Sequence, residues 1–495
     1  MPSADHALAA YLPHFAECRL LVLGDVMLDR YVLGEVCRIS PEAPIPVLRA
    51  QHARSVLGGA GNVARNVAAL GANATLIGLV GDDAAADEIA AVLARSPQIT
   101  DLLVRVPGRA TTVKTRFMSG VHQLLRLDEE ETGPIGTSQE DAILAEFEAQ
   151  LPVCDVVVLS DYGKGVLSDA VLARAIAAAR AAGRLVVIDP KRERFEAYAH
   201  AGVLTPNALE VTRATGIACT DDDSAADAGL AAMLQSQCDA VLVKRSEKGL
   251  TLVRRDRPPM HLHTHARAVA DVSGAGDTLV ATFALVLACA GALQDGAMQD
   301  AATLANVAAG VVVGKPGTAT LGQSELSDAL HRHELLAIDH KVADLPTTLR
   351  RVAAWREQGL RVGFTNGCFD LIHPGHVRLL ARARAACDRL VVGLNSDASV
   401  SRLKGPDRPV QNEAARATVM ASMASSDLVV LFEDDTPARL IAAIRPDLLF
   451  KGADYRADQV VGGDMVASYG GRVELIPLEE GFSTTGTIRR INSGA

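Results

Sequence analysis

Aromatic side chains are scarce: they make up 3% of the 495 residues, with a single tryptophan, which leaves few platforms on which nucleic-acid bases stack. A basic surplus is missing as well. The 49 Lys and Arg against 59 Asp and Glu give a formal net charge of −10, and no local basic patch stands out, so a polyanion such as DNA is repelled and no nucleic-acid partner is expected. The eight cysteines, at 18, 37, 154, 219, 238, 289, 368 and 387, contain no C-x-x-C pair. That argues against a zinc ribbon or a disulfide framework and fits a reducing cytoplasm. The opening MPSADHALAAYLPHF has neither the basic n-region nor the long apolar core of a signal peptide. The longest apolar run, Thr278 to Leu293, is sixteen residues, short of the roughly 18 to 20 that span a bilayer. It reads as a buried helix, and no membrane insertion is expected.

What is present is ordinary for a globular enzyme, with 49% hydrophobic and 22% charged residues. At about 150 residues per domain, the length implies two or three units. Short β-branched or Leu-rich runs ("CRLLVLGDV", "NATLIGLVGDD", "CDVVVLSDYG", "GRLVVIDPK", "DAVLVKRSEKG") alternate with Ala-rich helical stretches. This is the pattern of an α/β protein with a mostly parallel sheet, which takes ligands at the carboxyl ends of its strands. A second series follows, "LRVGFTNG", "DRLVVGLNSD", "SDLVVLFED" and "PDLLFKG". Between them lies a charged stretch, residues 331 to 359, which reads as a linker plus the first helix of the second half. The expected organisation is therefore residues 1–335, a linker and helix at 336–359, and a smaller α/β unit at 360–495. Within the first half, the Pro-rich "CRISPEAPIPVLRA" favours extended edge backbone. With "RATTVKTRFMSGVHQLLRLD" it makes either a small β-flap or a plain surface hairpin.

In the first half the strongest motif is "DVSGAGDTLVATFALVLACAGAL", where Gly274-Ala275-Gly276-Asp277 opens the long apolar helix. Glycines let backbone N–H groups converge, and the helix start adds partial positive charge, so phosphate oxygens are stabilised there. Asp277 is placed to accept the proton of a hydroxyl that attacks the terminal phosphate of ATP; as a plain alternative, it is a first-turn acid favoured by the helix dipole. The segments "LGDVMLD" (Asp25, Asp29), "GGAGNVARNVAALG" (Gly58, Gly59, Asn62), "LTPNALE" (Thr205, Pro206, Asn207, Ala208, Glu210) and "KRSEKG" (Lys244, Gly249) precede the loop. In this order they resemble the ribokinase family of sugar kinases over roughly residues 10 to 330. The resemblance implies that Asp29, Gly58, Gly59 and Asn62 hold the sugar. It also implies that Thr205 to Ala208, Glu210, Lys244, Gly249 and Gly274 to Gly276 serve ATP and its Mg²⁺, and that Asp277 is the base. Val272 stands where many members have Thr. Two decoys are set aside. Gly59 to Ala64 fits G-x-G-x-x-A with Asp82 downstream, but the preceding "RAQHARSVL" reads as a poor strand, broken by charge. "GVVVGKPG" has P-loop echoes, yet only three residues separate Gly310 from Gly314 and Pro316 replaces the needed Ser or Thr.

In the second half, "TNGCFDLIHPGH" places His373 and His376 around a Pro-Gly pair after an apolar run. Zinc would call on further ligands such as Cys368 and Asp370, and the turn between the histidines makes a helical ligand face a poor fit. A buried, satisfied pair is a second reading. Phosphate is the favoured one, because strand, Gly-containing loop and helix put His376 at a helix N-terminus. The loop resembles the His-x-Gly-His signature of nucleotidyltransferases related to glycerol-3-phosphate cytidylyltransferase. "GLNSD" (Asn395, Asp397), "RLKG" (Lys404), "NEAAR" (Arg416), "LLFKGADY" (Lys451, Asp454) and "GFSTTGTIRRI" (Ser483, Thr484, Thr485) follow in that family's order. The resemblance implies catalytic His373 and His376, and a nucleotide held by Thr365, Asn366, Gly367, Phe369, Asp397, Lys404, Arg416, Lys451, Ser483, Thr484 and Thr485. Such a site needs no protein nucleophile: it stabilises charge while a substrate phosphate attacks the α-phosphorus of a nucleoside triphosphate.

Residue chemistry alone reaches a sugar or sugar-phosphate kinase joined to a nucleotidyltransferase. The order of the halves, with "SPEAPIPV", "LTPN", "DVSGAGDT" and "EDDTPARLI", resembles the bifunctional heptose-7-phosphate kinase and heptose-1-phosphate adenylyltransferase family of Gram-negative bacteria. That implies ATP as co-substrate of both reactions, Mg²⁺ with the ATP, a homodimer formed through the first half, and a role in ADP-heptose synthesis for the lipopolysaccharide core. The alternative is another sugar or polyol kinase fused to a cytidylyltransferase. A nucleotide sensor with decayed sites is disfavoured, since Asp277, His373, His376 and Lys451 are intact.

Overall fold

The computed structural model describes residues 8–120, 122–264, 273–291, 296–315, 317–357, 359–452 and 460–477, with only the backbone of helical residues 332–340. The chain divides into two compact units, the boundary falling between His331 and Arg332.

The first unit is built on a nine-stranded sheet. Its spatial order is Arg257–Leu262, Leu250–Arg254, Ala240–Lys244, Val203–Leu204, Leu185–Asp189, Val156–Ser160, Arg19–Gly24, Asn73–Gly81 and Ile99–Val106. All neighbours run parallel except the two pairings of the first three strands. Helices cover both faces, so a central strand such as Val156–Ser160 is buried at every residue, and its sequence is a continuous apolar run rather than an alternating one. Alternate residues feed opposite cores: Leu20 and Val22 join one, Leu21 and Leu23 the other. The long apolar run becomes the helix Ala275–Ala290, buried at twelve of its sixteen positions between neighbouring helices. Among the described residues no helix is long and apolar enough to cross a membrane.

A separate four-stranded sheet of Pro46–Gly59, Val26–Ile39, Val113–Ser119 and His122–Glu129 forms the flap. The Pro-rich residues turn between two fourteen-residue antiparallel strands. Here the reading of "RAQHARSVL" is corrected, because it lies within Pro46–Gly59. Residues 49–54 are exposed, so their charges stand in water and do not disrupt pairing. The dinucleotide decoy fails for a different reason: this strand is antiparallel to its neighbour and so does not open a parallel βαβ unit.

The second unit holds a six-stranded parallel sheet ordered Val342–Ala343, Leu428–Phe432, Arg389–Asn395, Val362–Gly367, Leu448–Gly452 and Arg472–Ile476. The segment 336–359 contributes to it. Val342 pairs with Val429, and the helix Leu345–Glu357 buries Thr348 and Val352. After Val362–Gly367 the chain adds strands to one side and then crosses to the other. That places a topological switch point at the end of Val362–Gly367, where open α/β sheets bind ligands.

Candidate functional sites

In the first unit, Gly274 caps the helix Ala275–Ala290 with φ 81°, a left-handed conformation that glycine adopts without strain. It is also crowded, since a Cβ there would lie 2.9 Å from Asn62 Nδ2 and 3.0 Å from Thr318 Cγ2. One turn in, Asp277 is only 4% exposed. Its Oδ2 accepts a 2.7 Å hydrogen bond from Asn62 Nδ2, and its Oδ1 accepts one of 2.7 Å from the Tyr162 hydroxyl. Burial pushes this carboxyl up to about 7, with Asp189 adding to the rise and the two hydrogen bonds and Lys244 opposing it. A carboxylate poised near neutrality beside a convergent set of helix-start amides is what a general base for phosphoryl transfer requires.

Lys244 ends its strand with Nζ 2.5 Å from Asp189 Oδ1. Burial acts to lower its ammonium, but Asp189, Glu210 and Asp277 outweigh it and hold the group charged. Asn207 and Glu210 form a reciprocal capping box at the start of Ala208–Thr215, at 2.8 and 2.9 Å. Thr205 is buried on Ile188 O and Asp189 Oδ1, each at 3.2 Å, and Pro206 O accepts from Lys244 N at 2.8 Å. Gly249 (φ 84°) fits only as glycine, because a Cβ would reach 1.8 Å from Leu262 O.

On the flap side, Asp29 accepts from Arg116 Nη1 at 2.5 Å. A Cβ on Gly58 would press to 2.6 Å from Asp29 Oδ2, and one on Gly59 to 2.3 Å from Asp25 O. Asp25 itself accepts three backbone N–H groups, from Tyr162, Lys164 and Val166 at 2.8, 3.0 and 3.1 Å. It thereby fixes the loop that aims Tyr162 at Asp277. Sequence reasoning missed Tyr162, Asp189, Arg116 and Thr318. "SDYG" at a strand's carboxyl end was the available signal for Tyr162, while Thr318 carries none. The P-loop decoy is tied down elsewhere, with Lys315 Nζ 2.6 Å from Glu325 Oε1.

In the second unit, His373 caps the helix Pro374–Ala386, with Pro374 at its first position, where no N–H is needed. The rings of His373 and His376 stack with centroids 3.8 Å apart, and Phe369 meets His376 edge-on at 5.2 Å. Gly375 makes room for the stack: a Cβ there would lie 3.1 Å from the His373 ring. Burial, helped by His373, lowers His376 to about 4, and burial lowers His373 too. Both rings are therefore neutral at pH 7 with one N–H each, although a hydrogen bond to the Leu371 backbone opposes the fall at His376.

Phe369 holds φ 45°, an uncommon value for a non-glycine, and packs on Gly367. Lys451 Nζ stands 3.4 Å from Asn366 O, so strand ends on both sides of the switch point converge. Thr365 is fully buried and donates to Phe450 O at 3.2 Å. Arg416 is 1% exposed and donates to Cys368 O, Asn395 O, Gln411 O and Asp397 Oδ1 at 2.6, 2.9, 3.0 and 2.6 Å. It thus braces the loop from behind. Lys404 is exposed at the end of its helix. Asp370 accepts from Arg408 Nε and from the amides of Val410 and Gln411. Among the described residues no three His, Cys, Asp or Glu side chains assemble as a metal cage. Val272, Asp454, Ser483, Thr484 and Thr485 lie outside the described residues.

Known proteins match both halves. Residues 19–325 fit the pfkB family carbohydrate kinases and residues 364–482 the cytidylyltransferase-like family. The first unit has the fold of ribokinase from Giardia lamblia (TM-score 0.52, 22% identity, 64% of this chain and 99% of that one). Phosphofructokinase-2 from Escherichia coli gives TM-score 0.52 at 19% identity over 64% and 98% of the two chains. Over the whole length, the chain is 52% identical to the bifunctional protein HldE of Caulobacter sp. strain K31 (99% of each chain). It is 51% identical to that of Paramagnetospirillum magneticum over 96% of each. With a pfkB-type kinase half, a cytidylyltransferase-like half and such identity across both, the chain belongs to the HldE family of bifunctional proteins.

Proposed function

We propose that the chain catalyses two separate steps of ADP-heptose synthesis for the lipopolysaccharide core. In the first, ATP phosphorylates O1 of D-glycero-β-D-manno-heptose 7-phosphate, giving the 1,7-bisphosphate. A separate phosphatase removes the 7-phosphate. In the second, the 1-phosphate takes AMP from ATP and releases pyrophosphate.

For the kinase, Asp277 accepts the proton of O1 as that oxygen attacks the γ-phosphorus and ADP leaves. Helix-start amides at Gly274 to Gly276 and the Lys244 ammonium meet the charge on the transferring group. Mg²⁺ supplies charge neutralisation for ATP. Asp189 and Glu210, hard oxygen donors beside Lys244, fit it directly or through water. For the transferase, the neutral His373 and His376 donate N–H groups to the α-phosphate as a 1-phosphate oxygen attacks, and Lys451 adds positive charge. Arg416 acts by positioning the loop.

The observation carrying this reading is the pair of centres in one chain: a buried carboxylate at a glycine-rich helix start, and stacked neutral histidines at a switch point. Mass spectrometry of products from heptose 7-phosphate and ATP, with and without a 7-phosphatase, tests it. Bisphosphate alone without the phosphatase and ADP-heptose with it are expected. Product from CTP and none from ATP in the second step would overturn the adenylyl assignment. We further assign the enzyme to the cytoplasm, as a homodimer paired through the flap.

A further inference from the structure

One group of side chains near the flap lies outside both reacting centres. Tyr31 is 4% exposed, and two guanidiniums lie over its ring, Arg54 at 4.9 Å and Arg116 at 5.3 Å from the centroid. Arg65, in the helix Ala60–Ala69 and three residues after Asn62, has a buried Nη1 with no hydrogen-bond partner. Burial holds its guanidinium below the usual range; Arg54 pushes the same way, and Asp29 and Tyr31 oppose. Asp29, the carboxylate that acts on Arg65, is already bound to Arg116. Among the described residues no carboxylate pairs with Arg54 or Arg65.

The group adjoins the kinase centre. The Tyr31 hydroxyl is 2.8 Å from Thr318 Oγ1, and Thr318 in turn crowds Gly274. On its other side, Gly317 leaves room for Arg54, whose Nη2 would meet a Cβ there at 2.8 Å. Arginines and phosphate loop thus flank Thr318, Asn62 and Asp29, the span expected to hold the sugar.

Buried positive charge without a counter-charge is unfavourable, and it persists where a ligand supplies the missing anion. The buried nitrogen without a partner here is Arg65 Nη1, and Arg54 adds an exposed guanidinium close to it. A phosphate monoester carries about −1.5 to −2 at pH 7, and guanidinium forks match its oxygens. The ATP phosphates have their own cradle at Gly274 to Gly276 and Lys244. We propose that Arg54, Arg65 and Arg116 form the subsite for the sugar substrate's distal phosphate, the one remote from the reacting hydroxyl. The assignment rests on the kinase reading above. It makes the flap a selector for phosphorylated over plain sugars.

The test uses the full chain with Arg65→Gln and, because Arg54 is exposed and tolerates change, Arg54→Gln. Kinase kinetics are compared for heptose 7-phosphate and for the same heptose without phosphate. Each variant is expected to lower the ratio of the two kcat/KM values by about 10- to 100-fold, the scale of a lost charged hydrogen bond. The change should sit in KM for the phosphorylated sugar. An unchanged ratio in both variants overturns the subsite. If the wild type turns over neither sugar, the substrate reading fails by itself. Calorimetric titration with inorganic phosphate then decides the subsite: binding that is weakened in both variants upholds it, and equal binding, or none in the wild type, overturns it.

Discussion

The hydroxyl of Tyr162 donates a 2.7 Å hydrogen bond to Oδ1 of Asp277. That bond favours the ionised carboxylate and so works against the burial that lifts it to about 7. In the proposed mechanism the ionised form is the active one, so kinase kcat/KM should be present above pH 7 and fall as pH drops through 7. Tyr162→Phe removes a donor. It is expected to move this limb to higher pH by about one unit and so to slow bisphosphate formation at pH 7 by about fivefold, because the carboxyl is half ionised there in the wild type. Superimposable pH profiles for wild type and variant would contradict the role given to Tyr162.

The same carboxyl makes a stability prediction of opposite sense. Its pKa is raised on folding, so its contribution is fully present below its unfolded value near 4 and is lost as pH rises through about 7. Asp277→Asn cannot ionise. At pH 8 it should unfold at higher denaturant than the wild type, by on the order of 4 kcal/mol (about three pH units), and the gap should close toward pH 4. Urea unfolding of both proteins at pH 4.5, 6 and 8 measures it; a gap that does not change with pH means that Asp277 is not strained when charged.

Much of this was legible in the chain because the chemistry is local. Gly274 to Asp277 and His373 to His376 each sit within a few residues, and a strand run followed by glycine and a helix signals such a loop. For Tyr162 the chain offers only "SDYG" at a strand's end; its partner is 115 residues away, and only the fold joins them. Arg416 shows the opposite limit: the family resemblance marks it as a nucleotide contact, and its donors also close on three backbone carbonyls and Asp397, which no local pattern reveals. "RAQHARSVL" was misjudged because charge argues against a buried strand, not against a ribbon in water.

Arg416→Met should therefore damage the transferase through the loop. It leaves the carbonyls of Cys368, Asn395 and Gln411 without their donor, at a cost of roughly 3 kcal/mol or more in the second unit. The expected result is a lower melting transition and lost adenylyl transfer, with heptose bisphosphate formation intact. Calorimetry with both assays checks it, and a variant of unaltered stability would show that these contacts carry little.

The flap exposes Ile39 (62%) at the end of an inner strand, Ile45 (57%) in the turn that follows it and Leu125 (60%) on the edge strand His122–Glu129; that strand and Pro46–Gly59 each have one side without a partner among the described residues of the sheet. Such edges are a liability unless a second copy covers them. Sedimentation at micromolar concentration is expected to give a dimer, and Leu125→Lys with Ile45→Lys a monomer. A wild-type monomer contradicts the pairing.

The central claim is that one chain holds two chemically separate centres. The direct measurement is product analysis of Asp277→Asn and His376→Ala side by side, each supplied with heptose 7-phosphate, and separately with heptose 1-phosphate, plus ATP and Mg²⁺. Asp277→Asn should lose bisphosphate formation by about 10²-fold or more while making ADP-heptose at the wild-type rate. His376→Ala should do the reverse, with a loss of about 10²-fold or more in adenylyl transfer alone. If either substitution disables both reactions in a folded protein, or neither reaction falls, the two-centre account is wrong.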